Sequence, residues 1–255
     1  AGNVIRKPSY GNFKTIVDCG FNLMFAALME LRKEHGLVLF CQLDVTNRYL
    51  KDPAATRLVD NLLSEMGKRF VPVGPQRAGF LGDEKSEAIL KRMGVKYRKL
   101  NPSNLWTIGN EQVLLLGSDP VPANRREALK KYLSRGVTVI ALPGAPLDVL
   151  PGGMKRGTRS LFRASVPKND PVCAGIPEAD LYFREARDLP VLTDAPDWTV
   201  ATRPALFAKL DAVTTATVVL NLAPDAIDGL WNPEKVARVW SAIFSNMNIG
   251  LGKDL

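Results

Sequence analysis

Histidine is almost absent from this sequence, in which His35 is the only one among 255 residues. Zinc sites built from several histidines are therefore excluded, and so is an ordinary Ser-His or Cys-His pair unless His35 itself takes part. Cysteine is scarce as well: Cys19, Cys41 and Cys173 form no CxxC pair, and their odd number predicts no disulfide framework. We expect no metal site from these absences, and the cysteines do not indicate a compartment.

Long apolar runs are missing too. No stretch approaches the ~20 apolar residues that a membrane-spanning helix needs, so we expect no membrane partner. Ala1–Tyr10 lacks a charged segment followed by an apolar one, and we expect any targeting peptide to lie outside this chain. No P-loop is present, and the loop from Gly74 to Gly79 lacks the GxGxxG spacing of a dinucleotide site. The sequence therefore predicts no cofactor.

The charge balance is basic, with a net charge of +8. Such an excess is compatible with nucleic-acid binding, because clustered Lys and Arg release counterions from phosphates. The densest basic groups lie at residues 96–99, 125–131 and 155–163, and the first two fall where helix and strand faces should be solvated. Since the basic residues are dispersed and no nucleic-acid reading motif accompanies them, we do not expect nucleic acid as a partner.

Strand and helix patterns alternate from about residue 71 onward. The composition, 46% hydrophobic and 24% charged, is that of a globular protein with a real core. The predicted strands are 70–73, 95–100, 112–116 and 137–142, and the predicted helices are 84–93 and 124–135. Asn124 is the expected cap of the second helix. Because such alternation produces right-handed crossovers, we predict an α/β fold with a doubly wound, mostly parallel sheet of the flavodoxin or amidotransferase type.

A Pro/Gly-rich region at 145–204 interrupts this alternation. It holds eight prolines in 60 residues, and it is longer than the ~12–15 residues of ordinary loops in compact domains. We expect an insertion with short strands of its own, at 160–166 and 180–183. Further along the chain the pattern predicts a strand pair at 206–210 and 217–222 and a final helix at 233–247.

The beginning of the chain is similar in pattern to its end. In both places an apolar strand precedes an acidic loop and a helix that opens with proline, at Asp52-Pro53 and at Asn232-Pro233. The apolar faces correspond in chain order: Leu58, Val59, Leu62, Leu63 and Met66 match Val239, Trp240, Ile243, Phe244 and Met247. We therefore predict that residues 1–69 are the C-terminal half of a preceding α/β domain and that residues 70–255 form a complete second copy, which the resemblance described below implies to be amidotransferase-like.

A nucleophile is missing from the turn where doubly wound hydrolases and amidotransferases carry one. In those enzymes a Cys or Ser lies between a central strand and its helix, where helix N-terminal amides stabilise the oxyanion. The corresponding turn here, Pro143 to Pro146, has neither thiol nor hydroxyl. Ser118, after the preceding strand, is the nearest alternative, but Asp119-Pro120 beside it favours a plain turn. We therefore predict no catalytic residue.

Carboxylates and aromatic rings are the remaining candidates for carbohydrate chemistry. Glycoside hydrolysis needs two carboxyl groups ~5–10 Å apart, and nothing in the sequence places two of them together. Rings in irregular segments can stack on sugars, although tryptophan is more often part of a core or an interface. The acidic candidates are Asp44, Asp148, Asp180, Glu185, Asp225 and Asp228, and the aromatic candidates are Trp106, Tyr182, Phe183, Trp198 and Trp231.

Five segments resemble the amidotransferase-like domains of large bacterial glycoside hydrolases of the family 2 and β-galactosidase-like type. The segments are Val38–Val45 (VLFCQLDV), Asp52–Ala55 (DPAA), Asn61–Leu63 (NLL), Asp170–Ile176 (DPVCAGI) and Ala179–Glu185 (ADLYFRE). In the related β-galactosidase architecture such a domain is non-catalytic and contributes to trimer contacts and to the rim of the active site. The resemblance implies a bacterial protein and leaves open whether it is exported with a parent polypeptide.

Three hypotheses about function follow. The resemblance implies a non-catalytic accessory or assembly domain of a carbohydrate-active protein, whose partners are other domains of a longer glycoside-hydrolase polypeptide, further copies of itself, or carbohydrate. The second hypothesis is a small-molecule or sugar-binding module, because open α/β sheets bind ligands at the carboxyl ends of their strands. The residues there are Gly74, Ser118, Asp119 and Gly144. The third is a hydrolase that uses carboxylates.

Overall fold

The computed structural model describes residues 3–20, 24–33, 36–67, 76–103, 111–193, 200–211, 215–229 and 232–251. The chain divides into two compact units: the N-terminal unit comprises residues 1–8 and 12–74, and the C-terminal unit comprises residues 9–11 and 75–255. The predicted strand 70–73 and the predicted domain boundary at 69/70 fall outside the described ranges. None of the helices within those ranges has the length and apolar character that crossing a bilayer requires.

The N-terminal unit consists of an antiparallel sheet and one helix. Its elements are β1 (Ile5–Arg6), β2 (Phe13–Cys19), β3 (Phe25–Lys33), β4 (Gly36–Cys41) and α1 (Pro53–Gly67). The central strand β3 pairs with β2, and two different stretches of it pair with β1 and β4. Exposure alternates along β2, as expected of a sheet with one covered face.

Helix α1 begins at Pro53 because Asp52 supplies its cap. The Asp52 carboxylate accepts hydrogen bonds from the amides of Ala54 at 2.8 Å and Ala55 at 3.3 Å. Those amides have no partner within the helix, so an acidic N-cap stabilises this end. Proline suits the first turn, where its missing N–H costs nothing.

A mostly parallel sheet forms the centre of the C-terminal unit. The strands of this unit are β5 (Ala78–Leu81), β6 (Arg98–Lys99), β7 (Val113–Leu116), β8 (Thr138–Ala141), β9 (Lys155–Arg163), β10 (Tyr182–Thr193), β11 (Val200–Ala201), β12 (Phe207–Asp211) and β13 (Ala216–Leu220). Seven of these strands form one sheet in the order β11-β12-β13-β8-β7-β5-β6. The five from β13 to β6 are parallel, and β12 and β11 each add in antiparallel fashion. The predicted α/β class with a mostly parallel sheet is therefore confirmed.

Helices cover both faces of this sheet. They are α2 (Glu84–Arg92), α3 (Arg126–Leu133) and α4 (Asn232–Asn246). Val113 and Leu115 of β7 belong to an apolar cluster with residues of α2 and α4. Leu114 and Leu116 of the same strand belong to a second cluster with residues of α3. Since successive side chains of a strand point to opposite faces, the continuous apolar run of β7 is buried on both sides.

Most of the predicted elements lie within two residues of their observed positions. The helices predicted at 84–93 and 233–247 correspond to α2 and α4. The strands predicted at 112–116 and 137–142 correspond to β7 and β8, and the predicted strand pair corresponds to β12 and β13. The predicted edge strand 95–100 is shorter, because only β6 pairs with the sheet there, although it does lie at the edge.

The insertion differs most from its prediction. Instead of short strands at 160–166 and 180–183, β9 and β10 form one long antiparallel ribbon. Backbone pairing between the two strands extends each of them through positions whose side chains are polar and exposed, so side-chain alternation did not mark their length.

The predicted cap of α3 is also wrong. Asn124 lies inside a 3₁₀ turn at Ala123–Arg125, and Arg125 occupies the N-cap position without a side-chain hydrogen bond to the helix. The turn delays the start of the α-helix by two residues, which moves the side chain of Asn124 away from the free amides it was expected to meet.

Candidate functional site

Three loops meet at the edge of the C-terminal sheet where its parallel strands end. Gly82 and Asp83 follow β5, Gly117 and Ser118 follow β7, and the turn at 143–146 follows β8. Because β5, β7 and β8 are neighbours in the sheet, these loops lie side by side. Ligands of open α/β sheets bind at this edge, and we call it the strand-end site.

Ser118 lies in a hydrogen-bonded cluster with Asp83 and Ser86. Its amide donates to Ser86 Oγ at 3.3 Å, and its carbonyl accepts from the Asp83 amide at 3.0 Å. The Asp83 carboxylate caps α2 by accepting from the Ser86 amide at 3.0 Å. Partial burial raises the pKa of Asp83, but the hydrogen bonds from Ser86 and Ser118 outweigh it, so that the net pKa is below its ordinary value. The start of α2, where a bound anion would be stabilised, is thus filled by the chain's own carboxylate.

The structure brings Gly144 and Ser118 together. A Cβ atom added to Gly144 would lie 2.8 Å from the Cβ of Ser118, so any larger residue would push against it. Gly144 also has a φ of 86°, in the left-handed region that glycine tolerates best. Asp119 follows with a φ of 42° and an exposed side chain, whereas Gly74 lies outside the described residues. Three predicted residues therefore share the strand-end site, and ligand binding by them stays a prediction.

Arg156 and Asn221 belong to the same site and were not predicted. Arg156 donates from Nε to Asn221 Oδ1 at 2.9 Å and from Nη2 to the Ala145 carbonyl at 2.7 Å. Asn221 follows β13 and is only 3% exposed, and its Nδ2 has no hydrogen-bond partner among the described residues. The position of Asn221 after a buried strand was a usable signal. The 65 residues that separate it from Arg156 leave no trace in local sequence.

The chemistry available at this site is hydrogen bonding rather than nucleophilic attack. The Asp83 carboxylate lies in the same hydrogen-bonded cluster as Ser118, and its lowered pKa makes it a poor general base. His35 lies outside the described residues. The guanidinium of Arg156 and the amide of Asn221 supply donors for the polar groups of a ligand.

The acidic candidates for glycoside hydrolysis pair with arginine rather than with one another. Four of the six have such partners: Asp44 with Arg48 (3.2 Å), Asp148 with Arg126 (3.2 Å), Asp180 with Arg238 (2.5 Å) and Glu185 with Arg187 (3.6 Å). Within the part of the chain that the structure describes, no three or more His, Cys, Asp or Glu side chains form a group that could hold a metal ion.

The aromatic candidates divide by exposure. Phe183 is buried in the core of the C-terminal unit, whereas Tyr182 is exposed and contacts Phe162, a ring that was not predicted as a candidate. Trp106, Trp198 and Trp231 fall outside the described residues.

The comparisons with known proteins give no family for this chain. No family model matches the sequence, and no curated protein matches it.

Proposed function

We propose that this chain is a non-catalytic assembly module of a carbohydrate-active, glycoside-hydrolase-like protein, and that copies of it associate through the apolar face of α1. The observation that carries the proposal is a contrast between two helices. α1 and α4 each have 15 residues, and each follows an antiparallel strand pair. Their apolar positions correspond, but their burial does not.

The matched apolar residues 239–244 are buried in α4, whereas those of α1 are partly buried (Leu58, Val59 and Leu62) or exposed (Leu63 and Met66). In α4, the four matched residues Val239, Trp240, Ile243 and Phe244 are all buried. In α1, Leu63 and Met66 are 59% and 52% exposed, and Ala55 is the one buried residue of the helix. Because positions i and i+3 are neighbours on a helix, the side chains of Leu63 and Met66 form one patch. An amphipathic helix whose apolar stripe meets solvent favours an interface.

Apolar exposure is concentrated in the N-terminal unit as a whole. Of the nine large apolar side chains that are exposed within the described ranges, seven belong to this unit. Leu50 is the extreme case, since it is 77% exposed and has a φ of 63°, which bulky residues rarely adopt. Its amide donates to Thr56 Oγ1 at 2.9 Å. The seven are Val4, Ile16, Val38, Tyr49, Leu50, Leu63 and Met66.

The non-catalytic part of the proposal is supported by the turn after β8. A nucleophile elbow holds its Ser or Cys in a strained turn at the end of a central strand. Here the left-handed position of that turn is Gly144, which has no side chain to react. Ser118 lies against Gly144, and its amide and carbonyl bond to Ser86 Oγ and to the Asp83 amide.

The amidotransferase-like part of the proposal is supported by strand order. Numbered along the chain, the five parallel strands β5, β6, β7, β8 and β13 lie in the spatial order 2-1-3-4-5. This is the order of doubly wound, flavodoxin-like sheets, which also have helices on both faces. The carbohydrate part rests on the five segments that resemble glycoside-hydrolase domains.

Light scattering tests the proposal. It measures mass across roughly two decades of protein concentration, to be compared with 27.9 kDa for one chain, and we expect a dimer or trimer. The double variant Leu63→Glu/Met66→Glu places two charges on the patch and should yield monomers. The matched control Asn61→Glu/Ser64→Glu puts two charges on the exposed polar side of α1 and should stay assembled. A wild-type monomer at every concentration, or an oligomer that the first variant leaves intact, contradicts the proposal.

A ligand at the strand-end site is the second candidate function. The observation that favours it is the buried, unpartnered Nδ2 of Asn221 beside the guanidinium of Arg156, since a buried donor without an acceptor is costly. Calorimetric titration with neutral monosaccharides and with their uronic acids tests it. Binding that Arg156→Gln abolishes and Arg159→Gln preserves supports this function, and absence of heat with both sugar classes rejects it.

A further inference from the structure

Half of the net positive charge of the chain lies on one antiparallel ribbon. We use the ribbon as the name for β9 and β10, residues Lys155–Arg163 and Tyr182–Thr193. Its 21 residues include six basic and two acidic side chains, a net charge of +4 out of +8. Eight of the nine residues of β9 are wholly or partly solvent-accessible. The ribbon therefore presents a concentrated positive field to solvent.

Arg159 and Arg163 are two exposed cations on the same side of β9. Four residues of extended strand place them about 13 Å apart. Phe162 starts from the opposite side of the strand, and the Arg163 guanidinium nevertheless reaches over its ring. Arg156, on the same strand, is already engaged with Asn221 and the Ala145 carbonyl at the strand-end site.

An exposed pair of aromatic rings lies beside Arg163. Phe162 and Tyr182 are 45% and 43% exposed, and their ring centroids are 6.1 Å apart at an interplanar angle of 81°. The Arg163 guanidinium carbon lies 5.7 Å from the Phe162 centroid, and Arg163 is also the cross-strand partner of Tyr182. The two rings are the exposed large apolar side chains of the C-terminal unit within the described ranges.

An irregularity in the ribbon produces this arrangement. Between the pairs Tyr182–Arg163 and Arg187–Leu161, four residues of β10 stand opposite Phe162 alone. Arg184, inside this bulge, has a φ of 64°. Bulges redirect side chains and are common beside binding sites. At this bulge the rings of Tyr182 and Phe162 are in contact, although the cross-strand partner of Tyr182 is Arg163.

Acceptors for hydroxyl groups complete the surface. Glu185, in the bulge, is 80% exposed at its side chain, and Asp188 on the same strand is exposed too. Carboxylates accept hydrogen bonds from the hydroxyl groups that sugars carry.

We infer that the ribbon binds an anionic polysaccharide, a chain of sugars that carries carboxylate groups. Arg159 and Arg163 pair with the carboxylates, the ring pair contacts the apolar faces of the sugars, and Glu185 and Asp188 accept from hydroxyls. Nucleic acid fits less well, because sequence-tolerant binding of single strands uses series of rings on which successive bases stack. Here one T-shaped pair of exposed rings is present within the described ranges of the ribbon, rather than a series. The inference rests on the carbohydrate part of the proposed function and does not depend on assembly.

Affinity electrophoresis of the full chain, in gels that contain polygalacturonate at low salt, tests the inference. Neutral galactan and a single-stranded oligo(dT) are the comparison ligands. We expect polygalacturonate to retard the chain, and retardation to fall as salt screens the ribbon. Arg159→Gln/Arg163→Gln and Phe162→Ala/Tyr182→Ala should each weaken binding roughly tenfold, as loss of central contacts does in other interfaces.

The control variant is Arg126→Gln/Lys130→Gln, which removes two partly exposed charges from α3 and should bind within about twofold of wild type. Circular dichroism verifies that each variant is folded. No retardation by polygalacturonate overturns the inference. Equal retardation by oligo(dT) in wild type and in the ring variant also overturns it, because general attraction to polyanions then explains the binding. Retardation by oligo(dT) alone that requires the two rings overturns it as well and assigns the surface to nucleic acid.

Light scattering of the same variants separates this inference from the proposed assembly. The ring variant should keep the wild-type mass while losing polysaccharide. Conversely, Leu63→Glu/Met66→Glu should lose assembly while each single chain still binds polysaccharide. Failure of one proposal is thereby distinguishable from failure of the other.

Discussion

Matched alanine substitutions in α1 and α4 test whether the apolar side chains of the two helices differ in burial. Leu63 and Phe244 occupy corresponding positions in the repeated pattern, so sequence alone predicts equal losses when each is replaced by alanine. Phe244 is fully buried and packs edge-on against Trp240, with ring centroids 6.0 Å apart. Leu63 is 59% exposed.

The expected losses therefore differ severalfold. Removing a fully buried phenylalanine side chain costs about 3–5 kcal/mol, through lost burial and the cavity that remains. Changing a mostly exposed leucine changes the free energy of unfolding by about 0.5 kcal/mol or less in a monomer. With a urea m-value of about 2 kcal/mol per molar, Phe244→Ala should lower the unfolding midpoint by roughly 2 M, and Leu63→Ala should leave it almost unchanged.

Urea unfolding with two probes is the assay, because the two units need not unfold together. All four tryptophans belong to the C-terminal unit, so their fluorescence reports that unit, while circular dichroism also includes α1. The measurement belongs at low protein concentration, where association does not contribute. Phe244→Leu is the control and should lose less than Phe244→Ala, since it leaves a smaller cavity. Equal losses for Leu63→Ala and Phe244→Ala would refute the reasoning.

Three further predictions concern charge and backbone strain. Hydrogen bonds from Lys99 and from Lys91 lower the pKa of Glu87 from an ordinary 4.5 to about 2. The ionised carboxylate therefore stabilises the fold fully above pH 4.5, and this contribution is lost as the pH falls through about 2. The urea midpoints of wild type and Glu87→Gln should accordingly converge in acid. Gly144→Ala should destabilise by about 1–3 kcal/mol, and by more than Gly153→Ala, since both have positive φ but only the first meets a neighbouring side chain; thermal melts compare them. Asp180→Asn removes the negative charge that faces the mostly buried guanidinium of Arg238 and should cost about 3–5 kcal/mol in urea unfolding.

Local pattern was sufficient for β7 and β8 of the C-terminal sheet, but it missed the inner strand β5, whose first residues Ala78 and Gly79 fell in a predicted loop. The apolar run at 112–116 is buried on both faces, and a run of that kind is typical of a central parallel strand. Helix α4 was recognisable from its proline start and its apolar spacing. The location of Ser118 and Gly144 followed from the same signals, since each comes directly after a buried strand. Short stretches of sequence specify these features, because the spacing of apolar residues and the identity of turn residues determine them locally.

The ribbon was not predictable in the same way. β9 has one buried residue, Leu161, and its remaining positions are polar, glycine or exposed. A strand with so little apolar alternation becomes visible only through its partner, and that partner begins 19 residues after β9 ends. The contact between Arg156 and Asn221 spans a still longer separation, and no local signal joins the two residues.

By itself, then, the sequence determined the α/β class, the buried strands β7 and β8, the absence of a nucleophile after β8, and the matched apolar faces of α1 and α4. Only the tertiary structure decided which of those faces is covered, since burial depends on what lies opposite a helix and not on the spacing of its own residues. It also decided that Asp83 fills the start of α2 and that Phe162 and Tyr182 meet at an exposed bulge. Each of these outcomes joins segments that are distant in the chain, and such contacts are fixed by packing rather than by local propensity.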